Sequence, residues 1–294
     1  MATIGMAGRT LLAIWIICLP YLPGHALARE TVIYSWAESR AQDERGHYPV
    51  ALLTLALQKA GGTYDPRPAK HDLTQERTLR HVELQRELDI TWTLATPERE
   101  ARLLPIRIPI DRGLLGWRLL LINKSDVNFF AGINSAQQIK QLLAGQEQDW
   151  PDYKILLHNN FKVTPTTNYE GLFLMLKRGR IRYFPRAATE ILPEIHAHPQ
   201  LPMAIAPRWA LYYPAPVYFF VNKQRPELAA AIEKGLLIAI ADGSMQTLFH
   251  QHFSEHITQL DLQHRELILL DNPLLSADTP LDNAALWYSP ARGF

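Results

Sequence analysis

Cysteine is almost absent from this chain. Cys18 is the only one in 294 residues, and it lies inside an N-terminal apolar run. Beyond that run neither a disulfide framework nor thiol chemistry is available. Long apolar stretches are also missing after the N-terminus, so no later segment reads as a transmembrane helix and a soluble protein is expected. An excess of charge of one sign is missing too: Lys plus Arg number 30 and Asp plus Glu 29. That balance argues against a basic nucleic-acid binder. No G-x-S-x-G, H-E-x-x-H, P-loop or dinucleotide fingerprint occurs, nor any internal repeat or low-complexity linker. No cofactor is therefore expected.

What is present begins with the N-terminus. Arg9 is the only charge before Arg29, and it precedes the apolar run Leu11–Leu19 and the triplet Ala26-Leu27-Ala28. A positive start, a short apolar core and an A-x-A site predict a secretory signal peptide cleaved after Ala28. The run is short for an uncleaved anchor, and Cys18 lacks the small-residue context of lipidation. The remainder is long enough for one large or two medium domains, and 47% hydrophobic residues suffice to fill their cores.

The rest of the chain alternates strand-like and helix-like segments, which predicts an α/β architecture. Thr31–Tyr34, Ile90–Leu94, 116–122, Lys154–Leu157 and 180–184 read as strands. Helices are expected over 49–60, 72–84, 135–143, 168–178, 187–196, Pro226–Ala241 and 244–253. Asp72 with Gln75, and Ser135 with Gln138, have capping-box spacing. Segment 210–221 is apolar and aromatic but carries Pro214 and Pro216, so a bent strand is expected there.

The most informative stretch is DITWTLATPEREARLLPIRIPI, residues 89–110. A β-like run ends at Thr96-Pro97-Glu98-Arg99. Thr96 suits a helix cap and Pro97 the first helical position. Arg99 then falls in the first turn, where a fixed guanidinium fork is suited to a carboxylate.

This element resembles the strand–(T)-x-E-R–helix element of the periplasmic solute-binding proteins of the amino-acid type, family 3, with the class II periplasmic binding fold. Two further segments are similar to that family. One is INSAQQIKQLL, residues 133–143. The other is YFFVNKQRPELAAAIEKGLLIAIADGSMQTLFHQHF, residues 218–253. The resemblance implies a two-lobed fold with an interlobe cleft. Residues 29–112 and 217–270 would form lobe 1 and residues 113–216 lobe 2, with crossings near Asp111–Gly113 and Pro214–Pro216. Residues 271–294 lie beyond the usual family end and are expected as a tail packed on lobe 1.

The resemblance also implies site residues. Arg99 would grip a ligand carboxylate, Trp36 would stack on the ligand, and Trp92 would lie on the strand leading to the site. Thr93 and Thr96 would offer hydroxyls, although a capping role competes at Thr96. GQEQDWPD, residues 145–152, stands where the family has a glycine-rich loop, but Glu147 or Gln148 replaces the second glycine. Gln146, Asp149 and Trp150 remain candidates there, and Tyr169 opens a helix that can face the cleft. After that helix the family usually carries an aspartate that neutralises the ligand's ammonium group. Here RIRYFPRAATE, residues 180–190, offers Arg186 and no acid before Glu190. Arg186 in the cleft would favour an anionic or dicarboxylate-like solute. His250, His252 and His256 share the last helix; a polar face, not a metal site, is expected of them.

The function so implied is periplasmic capture of a small carboxylate-bearing solute by hinge closure, for delivery to an ABC permease. The protein is expected to act as a monomer. A membrane sensor in place of the permease is one alternative. A dehydratase-like enzyme on the same fold is another, with Glu170, Glu190 or Asp149 as acid or base.

Overall fold

A computed structural model describes residues 1–3, 29–35, 44–71 and 73–290. The expected signal peptide, Trp36 and Asp72 lie outside the described residues.

The first body opens with β1 (Glu30–Tyr34), α1 (His47–Lys59), β2 (Tyr64–Pro68), α2 (Gln75–Glu83), β3 (Ile90–Leu94), α3 (Pro97–Arg102) and β4 (Leu104–Ile106). The chain then crosses to a second body. This contains β5 (Trp117–Asn123), α4 (Val127–Ala131), α5 (Ala136–Gln141), β6 (Ala144–Glu147), α6 (Pro151–His158), β7 (Val163–Thr166), α7 (Tyr169–Lys177), β8 (Tyr183–Ala187), α8 (Ile191–Ala197) and β9 (Met203–Tyr212). It returns through Tyr213–Pro216 to β10 (Val217–Val221), α9 (Pro226–Ala241) and α10 (Ser244–Leu260), and ends with β11 (Glu266–Leu269) and an irregular tail.

Two sheets result, ordered β2-β1-β3-β10-β4 and β11-β9-β5-β8-β6-β7. In the first, β1 pairs in parallel with β2 and β3, while β10 runs antiparallel between β3 and β4. The residues of β5 are buried almost throughout, as those of a central strand should be. Helices α1 and α9 cover the first sheet. Gly235 permits their close approach, because a Cβ there would collide with the Ala56 carbonyl.

Several sequence expectations need correction. Lys154–Leu157 is helical, not a strand: Trp150 and Pro151 start α6 one turn earlier, and a short apolar run does not distinguish the two. The bent strand at 210–221 is two strands in different sheets, separated at the prolines. The capping box expected at α2 is not formed by Gln75, which bonds Arg99 instead, and Thr74 stands at the N-cap.

β11 does not stay with the first body. It pairs in parallel with β9 at the edge of the second sheet, from Glu266 opposite Trp209 to Leu269 opposite Tyr212. The chain after α10 therefore crosses between the bodies again. Nor does the tail pack on lobe 1 alone. The Asn272 Nδ2 donates to the Pro214 carbonyl at 2.8 Å, Asp271 pairs with Asn159 of the second body, and Asp278 reaches Arg107 at 3.1 Å. Finally the Tyr288 N–H donates to the Arg112 carbonyl at 2.7 Å.

Candidate functional site

The site is built outward from Arg99. β3 is hydrogen-bonded on both edges and ends at Leu94, and the chain turns into α3 at Thr96. The Thr96 hydroxyl accepts the Arg99 N–H at 3.2 Å, with Pro97 in the first turn. The cap fixes where the Arg99 side chain departs. Arg99 is 7% exposed, and its guanidinium donates through Nη1 to Thr93 Oγ1 at 2.7 Å and to the Leu94 carbonyl at 2.9 Å. Nη2 donates to Gln75 Oε1 at 2.5 Å. All three acceptors are neutral. No carboxylate among the described residues pairs with Arg99, and burial pushes its pKa down to about 10 against the more distant pull of Glu76, Asp152 and Glu98.

Arg99 lies on the wall of a cavity of about 430 Å³ between the two bodies. From the first body come Ser35, Gln75, Thr91, Trp92, Thr93 and Arg99. The second contributes Arg118, Trp150, Asp152, Arg186 and Glu190, and α10 adds His252, Phe253 and His256. Ser35 and Thr91, which also line the cavity, share a hydrogen bond at 3.0 Å.

The second body's wall is an ionic network. Arg118, inside β5, donates to Tyr213 Oη at 2.9 Å and pairs with Asp152 at 2.5 Å and Glu190 at 3.3 Å. Tyr213 Oη also donates to Asp152. Arg186, inside β8, pairs with Glu190 at 2.9 Å and Glu194 at 2.5 Å. Its guanidinium stacks near Trp150 and Phe184, 4.8 and 4.7 Å from their centroids. Arg45 approaches Glu194 at 3.5 Å. Burial alone would raise the Glu190 carboxyl, but Arg186, Arg118 and Arg45, with the Ala187 N–H, outweigh it and hold it below its ordinary value.

Of the residues expected from the sequence, Arg99, Trp92, Thr93, Trp150 and Arg186 meet at the cavity. Arg186 does not face it as a bare charge, however, because two glutamates hold it. Thr96 is consumed as the cap. Tyr169 stands behind the wall, its hydroxyl donating to Glu194 at 2.7 Å. Gln146 is buried inside β6, away from the cavity, and Asp149 is exposed outside it. The polar stretch 145–152 is not a single loop: β6 takes Gly145–Glu147 with Gln146 buried, and α6 begins at Pro151.

Sequence reasoning missed Ser35, Gln75, Thr91, Arg118 and Asp152. One signal was available: an arginine in the middle of the apolar run GWRLLLI requires partners. His252 and His256 line the cavity with His47, and no group of metal-ligating residues is found among the described residues. Burial lowers the His252 pKa, with His47 and His256 adding to the effect.

No family model and no curated protein matches this sequence. Solved structures do match the fold. An ancestral arginine-binding protein bound to arginine is 18% identical, with a TM-score of 0.56 over 76% of this chain and 99% of that one. A probable amino-acid ABC transporter extracellular-binding protein from Bacillus subtilis is 17% identical, with a TM-score of 0.58 over 76% and 98%. An ancestral amino acid-binding protein, a precursor of cyclohexadienyl dehydratase, is 14% identical, with a TM-score of 0.54 over 76% and 95%. At these identities the likeness is one of fold: the chain has the two-lobed α/β architecture of amino-acid-type periplasmic binding proteins.

Proposed function

We propose that this protein captures a small carboxylate-bearing solute between its lobes in the periplasm and presents it to a membrane permease. The observation that carries the reading is Arg99, a buried guanidinium on the cavity wall whose acceptors are all neutral. Burying a charge without a counter-charge costs several kcal/mol, and a solute carboxylate would offset that cost. Trp92 and Trp150, from opposite lobes, would cover the solute's body. Contacts to both lobes would favour the closed arrangement, so binding and hinge closure are linked.

Binding without turnover is the favoured reading because the candidate acids are unsuited to proton transfer. Glu170 bonds His198 at 3.0 Å and does not line the cavity, and Asp149 is exposed away from it. Glu190 lines the cavity, but its arginine partners hold it ionised. A general acid near neutral pH needs the opposite shift, and a carboxylate held below its ordinary value is also a weak general base.

The test is a thermal-shift screen of the purified protein against amino acids, dicarboxylates, short peptides and aromatic acids, repeated on Arg99→Ala. At 100 times its Kd a true ligand adds about 2.7 kcal/mol of stability. A carboxylate hit abolished by Arg99→Ala supports the reading. A hit that survives the substitution unchanged removes Arg99 from the site and sinks it.

A further inference from the structure

We propose that the chain after β11 is a brace across the hinge, which narrows the range over which the two lobes turn against each other. The brace is a property of the ligand-free protein, so it stands or falls apart from carboxylate capture.

The brace is anchored on both lobes. β11 pairs with β9 of the second, and the Leu270 N–H donates to the Tyr212 carbonyl at 2.8 Å. Asn159, just past α6, then holds Asp271 twice. Its Nδ2 donates to the Asp271 carbonyl at 2.8 Å, and its Oδ1 accepts the Asp271 N–H at 3.0 Å. From Ser276 the chain lies on the first lobe. The Ser276 hydroxyl donates to Glu100 of α3 at 3.2 Å, and Thr279 is buried. The pair of Asp278 with Arg107 is exposed and adds little. The brace ends at the first crossing, where Trp287 and Tyr288 are both buried. The Tyr288 ring meets Trp117 of β5 edge-on at 5.9 Å, and Trp287 Nε1 donates to the Pro280 carbonyl at 2.9 Å.

Two features make these anchors a restraint on motion. The first is that hinge rotation is absorbed by backbone changes in a few residues of the crossings. The brace holds both crossings: Tyr288 bonds the Arg112 carbonyl, the Trp287 ring packs against Gly113, and Asn272 bonds the Pro214 carbonyl. The second is reach. Asp271 on the second lobe and Ser276 on the first are five residues apart, a span of about 18 Å at full extension. Part of that length is taken up by a turn. Asn272 Oδ1 accepts the Leu274 N–H at 2.9 Å, and the Leu275 N–H donates to the Asn272 carbonyl at 3.2 Å. Leu274 also packs against the hydrophobic cluster that holds Ile155 and Leu211 of the second lobe. A rotation that draws Asn159 away from Glu100 must therefore undo the turn and free Leu274 before the chain can follow. A narrower ligand-free ensemble leaves less freedom to lose on closure, so the brace favours binding of any solute that closes the cleft.

The experiment measures interlobe distances in the ligand-free protein by pulsed electron paramagnetic resonance. Spin labels are placed at Arg77→Cys and Ala197→Cys, exposed on α2 and α8, in a Cys18→Ser background that removes the only native cysteine. Gln75 of α2 and Pro193 of α8 line the cavity from opposite lobes, so the pair reports on the cleft. Two variants loosen the brace without touching either lobe. One inserts Gly-Ser-Gly-Ser between Leu274 and Leu275, adding about 13 Å of reach. The other is Trp287→Ala, which frees the first crossing. The expected result is a broader distance distribution in both, and broader still in the combination. Broadening in one alone assigns the restraint to that anchor. Distributions that superimpose on the unmodified brace in every folded variant, even where the unfolding midpoint falls, would overturn the inference and leave the tail a packed segment only. If the insertion fails to fold, Trp287→Ala decides by the same comparison. Carboxylate capture is judged separately by the Arg99→Ala screen, so either can fail alone.

Discussion

Trp287 occupies the space that any side chain at Gly113 would need. A Cβ on Gly113 would lie 2.5 Å from Trp287 Cε3, and the glycine holds a φ of +76° that L-residues rarely adopt. Gly113 sits in the first crossing between the lobes. The next residue of the tail, Tyr288, bonds the Arg112 carbonyl of that crossing, while Asn272 bonds the Pro214 carbonyl of the second. The tail thus bonds to both crossings.

Gly113→Ala is therefore expected to cost about 1–3 kcal/mol through overpacking and backbone strain, and to loosen the tail before the lobes. Hydrogen exchange checks this. The amides of Trp287 and Tyr288 should lose protection in the variant while those of β5 keep theirs. Unchanged protection at 287 and 288 would show that the contact does not hold the tail.

The two lobes use buried arginine in opposite ways, and stability measurements should separate them. Arg118 pairs with Asp152 and Glu190, so Arg118→Met leaves buried acids uncompensated and is expected to destabilise by about 3–5 kcal/mol. Arg99 has only neutral acceptors, so Arg99→Met removes an unmatched charge but leaves those acceptors without their donor, and it is expected to cost about 1–3 kcal/mol, less than Arg118→Met. Urea unfolding without ligand checks both. Equal losses would show that Arg99 is as structural as Arg118.

Asp111 gives a pH dependence. Burial raises its carboxyl to about 6, against the lowering effects of the Leu115 and Gly113 N–H groups and Arg118. The ordinary value is 3.8, so between the two the folded state binds the proton that the unfolded state has released. Its contribution to stability is then full below the ordinary value and is lost as pH rises through about 6, a change on the order of 3 kcal/mol. Asp111→Asn should flatten the fall in urea midpoint between pH 4 and 7. An unaltered pH profile in the variant would assign the slope to other groups.

The legible part of the site was the local part. A strand run, a capping threonine and a proline in consecutive order placed Arg99 from sequence alone, because each acts within a few residues. The second wall was not legible, since Arg118, Asp152 and Glu190 converge from β5, the start of α6 and the turn before α8. Nothing in the spacing of positions 118, 152 and 190 announces that meeting. β2 was missed because its sequence, YDPRP, contains two prolines; it survives as a strand by pairing on one edge only. β11 was missed because four residues after a helix carry little periodicity, and its place was assumed from the helices before it.

The central claim is that Arg99 holds the solute's carboxylate, and calorimetric titration of one carboxylate ligand into wild type and Arg99→Ala tests it most directly. Loss of a buried, charge-assisted contact of about 2–5 kcal/mol predicts binding weakened roughly 30-fold or more, in a variant that still unfolds cooperatively. Wild-type affinity in a folded Arg99→Ala protein would contradict the claim.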